Sequence, residues 1–318
     1  MNTIINSPLP IGSLVLPNRL IQGPLAGYSC APFRELFYQF APPAYCVTEM
    51  SSALDVLTKH NNQSRYLYRS PVERLLAYQI SGSDPDIMTQ AASLLQKQGA
   101  DIIDINCGCP KAKIRKKGAG SALLDEPEKL IRIIEKVRSA LTIPLTVKIR
   151  IQGNENDLIL AQKIAAIGVD ALIVHGRRWT DDYDIQCDLR QIALIKQSIV
   201  IPVIANGDIT NLENLQDTMF ITGCDGFMIG RAGSGHPWLY QELLEQRRLN
   251  IDFSQKIDIF LQHLHGLALL ENEFKAILQS MSLVRYYFKD QLTESQRQEF
   301  YHLKSIIEIG SFLRGFEL

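Results

Sequence analysis

Eight short runs of β-branched and other apolar residues alternate with longer stretches of helical periodicity, and this alternation limits the fold more than any other feature. Several helical stretches, such as residues 85–99 and 211–223, end at glycine, as helices often do. Eight strand–helix units favour a (β/α)8 TIM barrel over an open doubly wound sheet. The predicted strands are residues 19–24, 45–50, 74–80, 101–107, 144–150, 171–176, 200–207 and 224–230.

The alternation stops after Trp238, and a different pattern follows. Residues 253–318 carry apolar side chains at three- and four-residue spacing, which predicts helices. The sequence therefore predicts an α/β protein with two domains. Residues 1–242 form the barrel, and residues 243–318 form an all-helical C-terminal domain.

Neither a membrane span nor a secretion signal is expected, because the sequence has no apolar run of about eighteen residues and no basic start before an apolar core. We therefore expect a cytoplasmic protein. The net charge is −1, from 33 basic and 34 acidic residues. This balance argues against a protein that coats nucleic acid nonspecifically, but it is compatible with a local basic patch.

Two cysteines, Cys107 and Cys109, lie one residue apart at the end of the fourth predicted strand. A disulfide within this pair would close a very tight ring. Zinc sites usually combine two ligand pairs, and the other four cysteines are single, so no metal is expected. The six cysteines of a cytoplasmic chain should be free thiols, most of which fill the core.

Polar or glycine-rich positions follow all eight predicted strands, and in a parallel barrel these ends surround one site. The last two ends carry Gly207 and Gly230 with Arg231, a combination typical of phosphate sites. No GxGxxG segment follows a strand, so a Rossmann-type nicotinamide site is not expected.

Seven segments occur in the order expected of the tRNA-dihydrouridine synthases, and the chain resembles the bacterial B subfamily most. The likeness is strong over residues 10–240 and weaker beyond, and its third segment is the most specific. The segments around Lys148, His175 and Asn206 are shared with other FMN barrels. The seven segments are GPLAGYSCAPFR, QISGSDP, DINCGCPKAKIRKKGAGSALL, TVKIR, IVHGR, IPVIANGDIT and GFMIGRA.

The resemblance implies an FMN enzyme that reduces the C5–C6 bond of a uridine in the tRNA D-loop, with NADPH, or else NADH, as reductant. Lys148 is then expected beside the electron-rich edge of the isoalloxazine. The implied cofactor-binding residues are Pro24, Leu25, Ala26, Gln79, Lys148, His175, Asn206, Gly207, Asp208, Gly230 and Arg231.

Cys109, which precedes Pro110, matches the general acid of the family, whereas Cys107 is interpreted as a packing residue. Reduction of uracil needs a hydride at one carbon and a proton at the other. A thiol, with an ordinary pKa of about 8.5, is protonated at neutral pH and can release that proton to a developing enolate. The resemblance implies that Asn106 contacts uracil, and Arg177 is predicted to contact a uracil carbonyl or a nearby phosphate.

The basic run KAKIRKKG after Cys109 is predicted to hold tRNA phosphates while the target uridine is extruded. Lys113 is the predicted substrate contact, together with Arg115, Lys116 and Lys117. A solvated surface loop is the alternative interpretation. The expected partner is tRNA, and the expected oligomeric state is a monomer.

Two other functions fit part of the sequence. A small-molecule FMN reductase acting on dihydropyrimidine-like or enone substrates would share the barrel, but it would not need the basic loop or the helical domain. A non-catalytic tRNA-binding protein would not need an intact thiol.

The segment HGRRWTDDYD and the residues Met281 to Leu283 depart from the family pattern, so the modified position in tRNA is not implied.

Overall fold

A computed structural model of the chain describes residues 2–316, and eleven strands and fourteen α-helices lie within that range. The strands are β1 Leu9–Ile11, β2 Leu14–Leu16, β3 Leu20–Gln22, β4 Tyr45–Val47, β5 Ser51–Ser52, β6 Leu76–Ser81, β7 Ile102–Cys107, β8 Leu145–Arg150, β9 Ala171–His175, β10 Val203–Asn206 and β11 Gly226–Ile229. The helices are α1 Asn2–Ile5, α2 Ala31–Glu35, α3 Ala53–Thr58, α4 Pro85–Lys97, α5 Ala112–Arg115, α6 Pro127–Ala140, α7 Asn156–Ala166, α8 Leu189–Ser198, α9 Leu212–Thr222, α10 Leu239–Glu245, α11 Phe253–Leu270, α12 Glu273–Tyr287, α13 Glu294–Phe300 and α14 Ile306–Arg314.

Eight parallel strands close into a barrel, which confirms the predicted fold class. β3, β4 and β6 to β11 each pair with the next strand, and β11 pairs back with β3. The short strand β5 pairs with β6 beside the β4–β6 contact. Among the described residues, no helix has both the length and the apolar character needed to cross a membrane.

The hairpin β1–β2 precedes the barrel and was not predicted from the sequence. Its two-residue turn contains Gly12 at a φ of 55°, and a Cβ at this position would overlap the Asp170 carboxylate. Leu9, Ile11 and Leu16 are buried against residues from the barrel interior. Because Asp170 directly precedes β9, the hairpin closes the barrel at the amino ends of its strands, opposite the expected site.

The helical residues after α10 build a second core around Phe260 and Leu264. This core rests on α2, where Gly266 of α11 lies so close to Pro32 that a Cβ would come within 2.9 Å of its Cβ. The predicted boundary at residue 242 stays a prediction. Helix α10 runs across it, and Leu243 packs in the barrel core.

A fully buried ion pair ties helix α2 to the segment that precedes β6. The Arg34 guanidinium donates through Nε and Nη2 to the two Glu73 carboxylate oxygens, at 2.5 and 2.9 Å. Its Nη1 donates to the Ser29 carbonyl at 2.7 Å, and both charged side chains have no exposed surface. All of these donors and acceptors are paired, as a buried charge requires.

His263 makes the fold sensitive to acid. The imidazole is completely buried on α11, with Nδ1 3.2 Å from the Tyr287 hydroxyl. Burial, with a smaller contribution from the Arg65 charge, lowers the pKa of His263 to about 3. An unfolded histidine has a pKa of about 6.5, so protons bind the unfolded chain more tightly, and stability falls as the pH drops from 6.5 toward 3.

We therefore expect the free energy of unfolding to fall by about 2 kcal/mol between pH 7 and pH 5 because of this group. The variant His263→Leu should lack that part of the decrease. Urea unfolding of both proteins at pH 7, 6 and 5 measures the difference. Parallel losses in the two proteins would show that His263 is not the cause.

Candidate active site

The polar side chains at the carboxyl ends of the strands form linked hydrogen bonds across the barrel rim. Gln79 donates through Nε2 to Asp104 Oδ2 at 2.7 Å and accepts from Asn106 Nδ2 at 2.9 Å. Lys148 Nζ donates to Asn206 Oδ1 at 2.8 Å. Four of the predicted site residues therefore lie at one rim, where β6, β7, β8 and β10 end.

The rim carries a concentration of positive charge around His175. Burial is the main cause that lowers the pKa of His175, to about 2, and the charges of Lys148, Arg150, Arg177 and Arg231 lower it further. The imidazole is therefore neutral at physiological pH. Burial and the neighbouring Arg150 also lower the pKa of the Lys148 ammonium. So many cations around one neutral side chain suit an anionic ligand.

Two glycines border this rim at the neighbouring ends of β10 and β11. Gly207 has a φ of 122°, and a Cβ there would overlap Cys187 Sγ and lie 2.9 Å from the His175 ring. A Cβ at Gly230 would meet only Leu25, at 3.9 Å, so the backbone faces open space. With the exposed Arg231 beside Gly230, this cradle has the space and charge that a phosphate group requires.

The loop after β7 holds Cys109 by its backbone. Asn106 Oδ1 accepts hydrogen bonds from the Gly108 and Cys109 N–H groups, at 3.3 and 3.0 Å. Ser121 donates to the Cys109 carbonyl through both its N–H and its hydroxyl, each at 3.0 Å. Gly120, with a φ of 63°, is needed there because a Cβ would come within 2.8 Å of the same carbonyl oxygen. The Cys109 side chain thus starts from a fixed backbone.

The two cysteines of the C-x-C pair occupy different environments. Cys107 is completely buried, and burial raises the pKa of its thiol, whereas Cys109 is partly exposed. The interpretation of Cys107 as a packing residue is confirmed. All six cysteines are free. Within residues 2–316, no three His, Cys, Asp or Glu side chains are grouped so that they could hold a metal ion.

Arg115 is bound by other residues of the chain, and its predicted contact with a tRNA phosphate stays a prediction. Its Nη1 donates to Ser121 Oγ at 3.0 Å, its Nη2 donates to Asp125 at 2.7 Å, and its guanidinium lies 3.6 Å from the centre of the Trp179 ring. The arginine therefore fixes the basic loop to the segment after β9. Four lysines of the same loop are exposed, and they are Lys111, Lys113, Lys116 and Lys117.

Arg177 is buried and organises the loop that follows β9. Its Nη2 donates to Asp208 Oδ1 at 2.7 Å and to the Tyr183 carbonyl at 3.1 Å, and its Nε donates to the Ile185 carbonyl. The Tyr183 ring then lies 3.7 Å below the Arg231 guanidinium. Substrate contacts by Arg177 and Asn106 stay predictions, because both side chains bind their own chain here.

Arg150 is a site residue that the sequence reasoning missed. Its Nε donates to the Gly108 carbonyl at 2.9 Å and its Nη1 to the Arg178 carbonyl at 2.8 Å, so it joins the loops after β7 and β9. A signal was present, since Arg150 follows Lys148 by two positions and residues two apart on a strand point to the same face.

Solved structures with a similar fold include morphinone reductase, with a TM-score of 0.56 and 14% identity over 80% of this chain and 93% of that chain. Another is 2-naphthoyl-CoA reductase in complex with 2-naphthoyl-CoA, with a TM-score of 0.59 and 12% identity over 78% of this chain and 53% of that chain. Likeness at such low identity shows the fold alone. The fold and the site define a (β/α)8-barrel protein whose polar and cationic residues gather at the carboxyl ends of the strands.

The family model described as Dihydrouridine synthase (Dus) matches residues 21–314. The chain is 34% identical to tRNA-dihydrouridine synthase B of Shewanella oneidensis over 97% of this chain and 98% of that protein. It is also 34% identical to the probable tRNA-dihydrouridine synthase 1 of Synechocystis sp., over 96% of this chain and 88% of that protein. The chain therefore belongs to the dihydrouridine synthase family, as the sequence segments predicted.

Proposed function

We propose that the protein is an FMN-dependent tRNA-dihydrouridine synthase that reduces the C5–C6 bond of a D-loop uridine. The observation that carries this proposal is the partly exposed Cys109 thiol, fixed at a barrel rim that also bears a cationic cradle. The names of the family relatives support tRNA as the substrate. NADPH as the reductant and a monomeric, cytoplasmic protein stay predictions.

The rim fits FMN by its charge and its space. The cations around His175 suit an anionic cofactor, and the open backbone at Gly230 leaves room for a phosphate. When bound and reduced, FMN supplies the hydride. The residues that would hold it are Pro24, Leu25, Ala26, Gln79, Lys148, His175, Asn206, Gly207, Asp208, Gly230 and Arg231.

Cys109 supplies the proton. Its Sγ–H bond breaks as a C–H bond forms on the uracil carbon that does not receive the hydride, so one hydride and one proton are added. The resulting thiolate lies within electrostatic range of Lys148 and Arg150. Water then returns a proton to the sulfur.

The exposed lysines of the basic loop would hold tRNA phosphates beside Cys109. We expect the triple variant Lys113→Ala, Lys116→Ala, Lys117→Ala to weaken tRNA binding and to lower the slope of log K against log salt concentration by about 2. A filter-binding titration at several salt concentrations measures both. The matched control replaces Lys97, Lys136 and Lys163, on the outer helices α4, α6 and α7, and should leave the slope unchanged. Equal slopes for both variants would remove the loop from the tRNA interface.

The function is tested with purified protein, NADPH and tRNA from cells that lack dihydrouridine synthases. We expect a yellow protein, and mass spectrometry should find tRNA uridine heavier by two hydrogens. Reduction of free uridine in preference to tRNA would instead support a small-molecule reductase. A colourless protein that binds tRNA and does not gain activity with added FMN would support the non-catalytic alternative.

A further inference from the structure

One arginine joins three segments of the chain at the edge of the active site. Arg65 lies in the irregular segment between α3 and β6, and its side chain is mostly buried. Its Nε donates to Glu49 Oε1 at 2.6 Å, its Nη1 to Glu271 Oε2 at 2.7 Å, and its Nη2 to the Gly27 carbonyl at 2.8 Å. Glu49 follows β4 at the barrel rim, and Glu271 connects α11 to α12.

Gly27 is held at both of its backbone polar groups. Its carbonyl accepts from Arg65, and its N–H donates to the other carboxylate oxygen of Glu49, Oε2. Gly27 has a φ of 87°, which favours glycine, and it directly follows the predicted flavin-binding residues 24–26. The pair Arg65–Glu49 therefore fixes the position of this loop relative to β4.

The helical residues contact the same loop at a second point. The rings of Tyr28 and Tyr286 meet edge to face, with centroids 5.8 Å apart. Tyr286 belongs to α12, which begins two residues after Glu271. The helical part of the chain thus helps to fix the positions of two neighbouring loop residues. It reaches Gly27 through Arg65, and it contacts the ring of Tyr28 directly.

We propose that Arg65 is a positioning residue for the flavin loop, defined as residues 23–30, and that Glu271 extends this positioning to the helical domain. The proposal rests on the proposed function, since it assumes that the loop holds FMN. An arginine is required because its planar guanidinium serves three acceptors in different directions, whereas a lysine ammonium is a single point of charge on a flexible stem. The helical domain thus helps to form the cofactor site.

Three variants test the proposal. Arg65→Ala removes all three contacts and should raise the Kd for FMN about tenfold, measured by the recovery of FMN fluorescence on dilution. Arg65→Lys should restore binding only in part. Glu271→Gln, a change remote from the flavin, should raise the Kd about threefold. In the FMN-free protein, hydrogen exchange of the amides at 25–30 should become faster in each variant. The increase should be largest in Arg65→Ala, as for the Kd.

Arg138 provides the matched control. Like Arg65, it is mostly buried and binds three partners, which are one carboxylate, Asp170 at 2.8 Å, and two backbone carbonyls. It lies at the opposite end of the barrel. Arg138→Ala should lower the Tm without changing the Kd for FMN or the exchange of the loop. If Arg65→Ala behaves in the same way, Arg65 is only a structural residue.

Each result is interpretable even if one variant fails to fold, because Glu271→Gln and Arg65→Lys keep the shape or the charge of the site. Unchanged loop exchange and unchanged FMN affinity in these two variants would overturn the proposal. If the unaltered protein binds no FMN, the proposed function fails. In that case, faster loop exchange in the variants would still support the positioning role.

Discussion

Replacing Cys109 by alanine is expected to slow the reduction of tRNA by about 10²–10⁴-fold, while NADPH still reduces the bound flavin at an unchanged rate. The variant removes the proton donor but leaves the backbone bonds to Asn106 and Ser121 in place. Single-turnover experiments separate the two half-reactions, because flavin absorbance reports reduction by NADPH and then reoxidation by tRNA. Only the second should become slow.

Two further variants define the role of the thiol. Cys109→Ser should also be slow, because a hydroxyl is a much weaker acid than a thiol. Cys107→Ala removes the buried cysteine two positions earlier and should keep the tRNA rate within about twofold, with a lower Tm from the cavity. Reoxidation by tRNA at the normal rate in Cys109→Ala would exclude this thiol as the acid.

Replacing Arg34 by methionine is expected to lower the free energy of unfolding by about 3–5 kcal/mol, because the Glu73 carboxylate would remain buried without its charged partner. The change would also remove donors from the carbonyls of Ser29 and Tyr68. Urea unfolding at pH 7 measures the loss.

The double variant Arg34→Met, Glu73→Leu separates the cost of an unpaired charge from the value of the pair. It should be less destabilised than the sum of the two single variants, since no isolated charge remains in the interior. Additive losses, or a loss below about 1 kcal/mol for Arg34→Met, would show that water reaches Glu73 and screens its charge.

The sequence predicted the barrel well because its strands are covered on both faces, so each appears as a nearly continuous apolar run. All eight runs contain a barrel strand, although residues 19–24, 45–50, 200–207 and 224–230 contain only the shorter β3, β4, β10 and β11. The hairpin β1–β2 was missed because its strands have three residues each, too few for a periodic signal. The two-residue turn Gly12–Ser13 was the one local indication.

The site was predictable as a set of strand ends but not as a set of contacts. The contact between Lys148 and Asn206 follows from strand order, because β8 and β10 flank β9 and open onto the same rim. The contacts of long side chains from loops and short helices do not follow from strand order. Arg65 and Arg115 reach partners in distant segments, and Arg177 binds its own loop, which no spacing in the sequence reveals.

The pairing that closes the barrel also determines when the cofactor cradle can exist. Gln22 at the end of β3 bonds to the Gly230 carbonyl, 208 positions further along the chain. During synthesis, β3 therefore lacks one of its two neighbouring strands until β11 has left the ribosome. A chain interrupted before β11 exposes two unpaired strand edges, which are free to pair with other chains, so aggregation competes with completion of the proposed flavin site.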